Sequence, residues 1–223
     1  MLFMKTILFI ISFSIIASCN YYSQADTNQL PPEKSSIKVI KLVDSLGSIT
    51  FSIPSRYDTT FIWTHYSDCG KPCDEIKYRL QPKSLKIFQE SGFYWRGEPK
   101  DSVERFTIVH SGYFPFYNNT DSNSIFQQHF AKKQNTISDP DTYKIKSDTV
   151  EKIGDRYFSI IVIDLYDTLK NQYSKKLLAS TTIKGNIVDF KYELLTKRND
   201  SLNKNFITNS KYYLRTIRIS NGM

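Results

Sequence analysis

The sequence lacks the short motifs that mark the common nucleotide, metal and hydrolase sites. It contains no glycine-rich phosphate loop, no HExxH pair, no calcium-binding loop and no nucleophile elbow. Histidine is scarce, and the three that occur, His65, His110 and His129, lie in different predicted elements. Because catalytic groups meet only in the folded chain, an enzyme of unknown reaction that uses one of these histidines stays an alternative. We predict that the protein is not an enzyme and holds no cofactor and no metal.

The sequence also lacks a concentrated run of one charge. Lys and Arg total 30 and Asp and Glu 22, which gives a net charge of +8. The basic residues occur as pairs at the ends of predicted elements, such as Lys132-Lys133 and Lys175-Lys176, and form no stripe. Nucleic acid is therefore excluded as the expected partner.

No apolar run reaches the roughly 20 residues that a membrane-spanning helix needs. The beginning of the chain instead has one cation, Lys5, followed by a shorter apolar segment from Ile7 to Ala17, and no acidic residue precedes Asp26. This pattern is typical of a cleaved secretory signal. An uncleaved amino-terminal anchor is an alternative.

The four residues Ile16-Ala17-Ser18-Cys19 resemble the lipobox of bacterial lipoproteins, in which an aliphatic and two small residues precede a cysteine. The resemblance implies that cleavage follows Ser18, that the Cys19 thiol carries a diacylglyceryl group and that the new amino terminus is acylated. Several acyl chains hold a protein firmly on a membrane. The favoured location is the cell envelope, on the outer membrane and facing the periplasm. An ordinary secreted protein is the alternative.

Three segments are expected from this reading. Residues 1–18 are the signal, residues 19–36 are the lipidated amino terminus and a flexible tether, and residues 37–223 are a single domain. The tether prediction rests on polar composition and on Pro31-Pro32.

The two remaining cysteines, Cys69 and Cys73, flank the turn residues Gly70-Lys71-Pro72. An exported protein meets an oxidising compartment, so we predict a disulfide between them. A labile redox pair is one alternative. The other is a site for Cu(I) or Zn(II) in which His65 joins the two thiolates.

Alternation of apolar and polar residues predicts an antiparallel β protein with two helices. An opening hairpin covers residues 37–54, and further strands cover 61–66, 76–81 and 103–110. A helix is expected over 121–135, with Ile125, Phe126, His129 and Phe130 on one face. Four strands in a meander, at 143–153, 156–168, 173–183 and 187–196, are followed by a helix capped by Asp200-Ser201 and a short strand at 216–220. The acids of the meander are expected to lie on a solvated face: Asp164, Asp167, Asp189 and Glu193.

This order of elements is similar to that of the Mog1/PsbP-like family. The similarity rests on Ile49, Phe51, Ile53 and Pro54 at the end of the hairpin and on Leu214, Ile217 and Ile219 at the end of the chain. It implies an α+β fold in which an antiparallel sheet is packed by a middle helix and a carboxy-terminal helix. It also implies an interaction role, because the family has no shared catalytic set.

The stretch from Tyr66 to Tyr117 is an insertion relative to that pattern and is rich in aromatic residues beside glycine and proline. Exposed rings of this kind suit recognition of a partner. The candidate partner-binding residues are Phe93, Tyr94, Trp95, Tyr113, Phe114, Phe116 and Tyr117. We predict a lipid-anchored, non-enzymatic binding or accessory domain with a protein partner. An immunity-type inhibitor of an incoming toxin is the alternative that uses the same region.

Overall fold

The computed structural model describes residues 30–43, 46–70, 73–85, 102–112, 122–138 and 145–220. In these ranges the chain forms two antiparallel sheets and two helices. The elements are β1 (Ser35–Lys41), β2 (Ser48–Pro54), β3 (Thr59–His65), β4 (Glu75–Gln81), β5 (Val103–Ser111), α1 (Ser122–Ser138), β6 (Ile145–Ile153), β7 (Arg156–Asp167), β8 (Gln172–Ile183), β9 (Asn186–Thr196), α2 (Ser201–Arg215) and β10 (Arg218–Ser220).

The smaller sheet has the strand order β1-β2-β10. The hairpin partner β1 lies on one side of β2, with Lys41 opposite Ser48, and β10 lies on the other side, with Ser220 also opposite Ser48. Alternate residues of β2 point inward, so Ile49, Phe51 and Ile53 are fully buried.

The larger sheet has seven strands in the order β3-β4-β5-β9-β8-β7-β6, and every neighbouring pair is antiparallel. Strands β6 to β9 form a meander because two-residue turns join β6 to β7 and β8 to β9. In the first turn Gly154 has a φ of 62°, and in the second Lys184 and Gly185 have φ values of 49° and 79°. The four-stranded meander predicted from the sequence is confirmed by these pairings.

The hydrophobic core lies between one face of the large sheet and a layer formed by α2 and the small sheet. Helix α2 starts where Asp200 accepts a hydrogen bond from the Asn203 N–H at 3.0 Å, which satisfies one free donor of the first turn. Its apolar face buries Phe206 and Leu214 against the sheet. We call this the core face of the large sheet.

Helix α1 lies on the other face of the large sheet, against β6 and β7. Ile125 is buried and His129 faces the sheet, but Phe126 and Phe130 are 53% and 64% exposed. The prediction that both phenylalanines share the buried face of this helix is therefore wrong. On this face Ser159 of β7 and Asp148 of β6 contact His129, so a polar side chain of the helix is turned toward the sheet.

The prediction of an antiparallel α+β fold with a middle and a carboxy-terminal helix is confirmed at this level. The predicted tether of residues 19–36 is too long, because β1 begins at Ser35. The Lys34 carbonyl also accepts a hydrogen bond from the Ser55 N–H at 2.9 Å, and Glu33 forms an ion pair with Arg56. Among the described elements, no helix has both the length and the apolar character needed to span a membrane.

Candidate functional site

The α1 face of the large sheet carries a regular grid of side chains on β7, β8 and β9. Residues directly opposite one another on neighbouring strands have Cβ atoms about 4.5–5.5 Å apart, so they form rows across the sheet. The three rows are Ile163, Lys176 and Glu193; Ile161, Leu178 and Lys191; and Ser159, Ser180 and Asp189. We call these nine residues the grid.

A cleft of about 360 Å³ separates the grid from helix α1. The helix lines it with Lys132, Asn135 and Thr136, whose spacing of three and four residues places them on one side of the helix. The grid forms the opposite wall. Because the cleft is open to solvent between a helix and a sheet, a small molecule or an extended segment can enter it.

The carboxylate of Glu193 forms an ion pair with Arg105, the residue opposite it on β5. Arg105 Nε lies 2.6 Å from Glu193 Oε2, and the two side chains are only 10% and 16% exposed. Burial of the Glu193 carboxyl raises its pKa, but the guanidinium of Arg105, helped by Lys176 and Lys191, outweighs burial. The pKa of Glu193 therefore lies below its ordinary value.

The second carboxylate in the cleft, that of Asp189, forms an ion pair with Lys132 of α1. Lys176 and Lys191 differ from Lys132, because in the described ranges no carboxylate lies within 4.0 Å of either ammonium group. Both lysines are half-buried. The cleft and Arg105 thus hold four cations against two carboxylates, which leaves an excess of positive charge.

Ser180 lies in the wall of the cleft, and only 1% of the residue is exposed. Within the part of the chain that the structure describes, its Oγ has no hydrogen-bond partner. A buried hydroxyl without a partner costs free energy, about 1–3 kcal/mol, so such groups in native proteins call for an explanation. A ligand in the cleft would supply the missing partner.

His129 joins α1 to the sheet at the end of the cleft. Its Nδ1 lies 2.8 Å from Ser159 Oγ, and its Nε2 lies 3.3 Å from Asp148 Oδ1. Lys133 Nζ lies 3.0 Å from the other oxygen of Asp148. The hydrogen bond from Lys133 is the main cause that lowers the pKa of Asp148, and the contact with His129 lowers it further.

The three histidines are not brought together. His110 Nδ1 contacts the Ser111 carbonyl at 2.8 Å and its Nε2 lies 3.3 Å from the hydroxyl of Tyr78, on the core face of the large sheet. His129 lies on the opposite face, and His65 ends the edge strand β3. What the fold assembles instead is a serine, a histidine and an aspartate: Ser159, His129 and Asp148.

The Cys69 and Cys73 Cα atoms are 5.8 Å apart with their sulfurs in contact, a separation that suits a disulfide. In the described ranges no group of three or more His, Cys, Asp or Glu side chains could hold a metal ion. The alternative in which His65 completes a metal site with these two cysteines is therefore not found there.

The predicted lipid carrier and the predicted aromatic contacts lie outside the described residues. They are Cys19, Phe93, Tyr94, Trp95, Tyr113, Phe114, Phe116 and Tyr117. An aromatic group on β3, just before that region, is described: Trp63 stacks on Phe61 with ring centroids 5.3 Å apart, and the Arg79 guanidinium lies 4.7 Å from the Trp63 centroid. This group is on the α1 face of the sheet, because Arg79 is opposite Thr107 and Phe61 is opposite Arg79.

Sequence reasoning missed Lys176 and Lys191 as site residues, and it was wrong about two of the four acids of the meander. Asp189 and Glu193 form ion pairs on a face that a helix covers. Asp164 accepts from both Lys146 and Lys175 at 2.7 Å, and Asp167 lies at the end of β7 in an ion pair with the exposed Lys170. The feature of the sequence that could have indicated this site is the alternation of charged and apolar residues on β8 and β9. That alternation is the same for a solvated face and for a charged cleft.

No family model matches this chain, and no curated protein matches it.

Proposed function

We propose that this chain is a lipid-anchored protein of the cell envelope, facing the periplasm from the outer membrane, that acts as a non-enzymatic binding domain. The cleft between α1 and the grid is its ligand surface. The proposal includes a Mog1/PsbP-like sandwich as the fold and a lipid on Cys19 as the attachment. The sequence supports the attachment through Ile16-Ala17-Ser18-Cys19.

The observation that carries the binding role is the pair Lys176 and Lys191. Both side chains are half-buried, and among the described residues no carboxylate lies within 4.0 Å of either ammonium group. The cleft and Arg105 carry four cations against two carboxylates, so like charges repel there. This repulsion falls when a partner with complementary charge enters. Natural sites for ligands often show such local conflicts.

The region of residues 66–117 stays part of this proposal. Strands β4 and β5 come from it, and they extend the α1 face of the sheet with Arg79 and Arg105. A protein partner that contacts this region would therefore lie beside the cleft. An immunity-type inhibitor would use the same surface, and a toxin that co-purifies with the chain would identify that role.

Site-specific photocrosslinking in the cell envelope tests the binding role. A photoreactive residue at Asn135, which is exposed and lines the cleft, is expected to yield a crosslinked species. The matched control is the exposed Lys204 on α2, on the other side of the sheet, which is expected to yield none. Equal crosslinking from both positions, or none from Asn135, would refute the cleft as the ligand surface.

Acyl labelling tests the attachment independently. Cys19→Ala is expected to leave the full-length precursor and to lose incorporation of labelled palmitate. Cys69→Ala is the control, because that cysteine is expected to carry no lipid. Palmitate labelling that survives in Cys19→Ala would contradict the lipoprotein assignment.

An enzyme is the second candidate, and Ser159, His129 and Asp148 favour it. A histidine between a hydroxyl and a carboxylate is the arrangement that activates a serine nucleophile. We place it second because Ser159 is only 1% exposed. A fluorophosphonate probe that labels the original chain but not Ser159→Ala would establish the enzyme. If the probe labels neither protein, the binding role stands.

A further inference from the structure

We propose that the cleft binds an amphiphilic anion, a carboxylate with a hydrocarbon chain such as a long-chain fatty acid. The inference rests on the proposed function, because that proposal identifies the cleft as the ligand surface. The carboxylate contacts Lys176 and Lys191, and the hydrocarbon chain lies along the apolar residues of the grid.

The charge of the ligand follows from the ion pairs already formed. Asp189 forms an ion pair with Lys132, and Glu193 forms one with Arg105. Lys176 and Lys191 remain, and Glu193 attracts both, but its carboxylate already forms the ion pair with Arg105. A cationic or neutral ligand would therefore leave the cleft with more cations than carboxylates. An anion is the class of ligand that compensates them.

The register of the strands allows one carboxylate to reach both lysines. Lys176 is opposite Glu193, and Lys191 precedes Glu193 by two residues, so the two lysines are diagonal neighbours on adjacent strands. Side chains at diagonal positions are about 7–8 Å apart at their bases and long ones can meet. Lys191 is also the diagonal neighbour of Ser180, whose hydroxyl can donate a hydrogen bond to the same carboxylate.

The apolar part of the ligand follows from the remaining residues of the grid. Ile161 and Ile163 of β7 form a nearly buried apolar floor, 2% and 1% exposed, and Leu178, which lies between them and Lys191, is half-buried. An inorganic anion would leave the exposed part of Leu178 in contact with water. A hydrocarbon chain covers it, which is favourable in proportion to the area buried.

The test uses photoreactive lipid probes on the full chain in isolated cell envelopes. One probe is a fatty acid with a diazirine and an alkyne, and the other is the fatty alcohol with the same chain. After irradiation, labelled peptides from α1 and from β7 to β9 are quantified relative to labelled peptides elsewhere in the chain. The variants are Lys176→Met and Lys191→Met, and the control is Lys204→Met at an exposed position on α2.

The fatty acid is expected to label the cleft peptides at least about tenfold more than the alcohol, since loss of one charge-assisted contact changes an equilibrium by about that factor. Each lysine variant is expected to lower cleft labelling about tenfold, and the control to leave it unchanged. A thermal unfolding curve of each variant shows that the fold is intact.

Two results would overturn the inference. Equal labelling by the acid and the alcohol would refute the anion but leave the cleft as a ligand surface. No labelling of the cleft by either probe would refute the amphiphile, while the photocrosslinking from Asn135 decides the proposed function without any lipid probe.

Discussion

Replacing Arg105 by methionine tests whether the buried ion pair of the α1 face stabilises the fold. Methionine keeps most of the volume of the arginine stem but leaves the Glu193 carboxylate, 16% exposed, without the guanidinium now 2.6 Å away. Breaking a buried pair typically costs about 3–5 kcal/mol. Lys176 and Lys191 already lower the pKa of Glu193 and compensate part of the loss, so we expect about 3 kcal/mol.

The assay is unfolding of the full chain by heat and by urea. For a chain of this length, 1 kcal/mol corresponds to about 2–4 °C, so Arg105→Met should lower Tm by about 6–12 °C. Arg198→Met is the matched control, because that exposed side chain has no described ion pair, and it should change stability by less than about 0.5 kcal/mol.

The pH dependence follows from the direction of the pKa shift. The folded state holds the pKa of Glu193 below its ordinary value of 4.5, so the stabilisation is fully present above about pH 4.5. It is lost as pH falls through the lowered pKa of the folded state, because the carboxyl then takes up a proton. The difference between the original chain and Arg105→Met should therefore be constant near neutral pH and shrink in acid.

The double variant Arg105→Met/Glu193→Gln shows whether the loss of stability comes from the unpaired charge or from lost packing. Removing both charges eliminates the unpaired carboxylate, so the double variant should be more stable than the single one by about 1–2 kcal/mol. If the two variants unfold at the same temperature, the cost comes from lost packing and the reasoning about charge is wrong.

Three further outcomes are expected. His129→Ala removes the two contacts that this histidine makes with Ser159 and Asp148 and leaves the contact of Lys133 with Asp148, and it should speed hydrogen exchange of the α1 amides about tenfold while those of β8 and β9 stay unchanged; uniform acceleration would contradict a local role. Phe206→Ala opens a cavity in the core beneath α2 and should cost about 3–5 kcal/mol in urea unfolding, and a loss below 1 kcal/mol would show that this side chain is not packed as described. Asp200→Ala removes the cap of α2 and should cost about 1 kcal/mol in the same assay, whereas Asp200→Asn should restore most of it.

The parts of the fold that depend on nearby residues could be predicted from the sequence. Alternation within each strand and two-residue turns at Gly154 and at Lys184-Gly185 sufficed to predict the meander of β6 to β9. The start of α2 after Asp200 was also predictable, because capping is a local property.

Pairings between distant strands could not be predicted in the same way. Strand β5 lies beside β9, with Arg105 opposite Glu193, although 88 positions separate the two residues. Nothing in the local pattern of either strand specifies its neighbour. The separation of β1, β2 and β10 into a second sheet has the same origin.

The candidate site could not be predicted from the sequence, for a related reason. Lys176 and Lys191 alternate with apolar residues as they would on a solvated strand, and only the position of α1 above them turns that face into a cleft. The helix itself was misjudged at Phe126 and Phe130, because helical periodicity identifies an apolar stripe but not the surface it meets.

The central place of β2 in the small sheet has a consequence for synthesis. Its neighbour β1 is made just before it, but β10 is made more than 160 residues after β2, so that side of β2 stays without its β10 partner until then. A stop codon at position 218 would remove β10 and leave that side of β2 permanently open. Unpaired strand edges recruit other chains, so such a truncated product should aggregate.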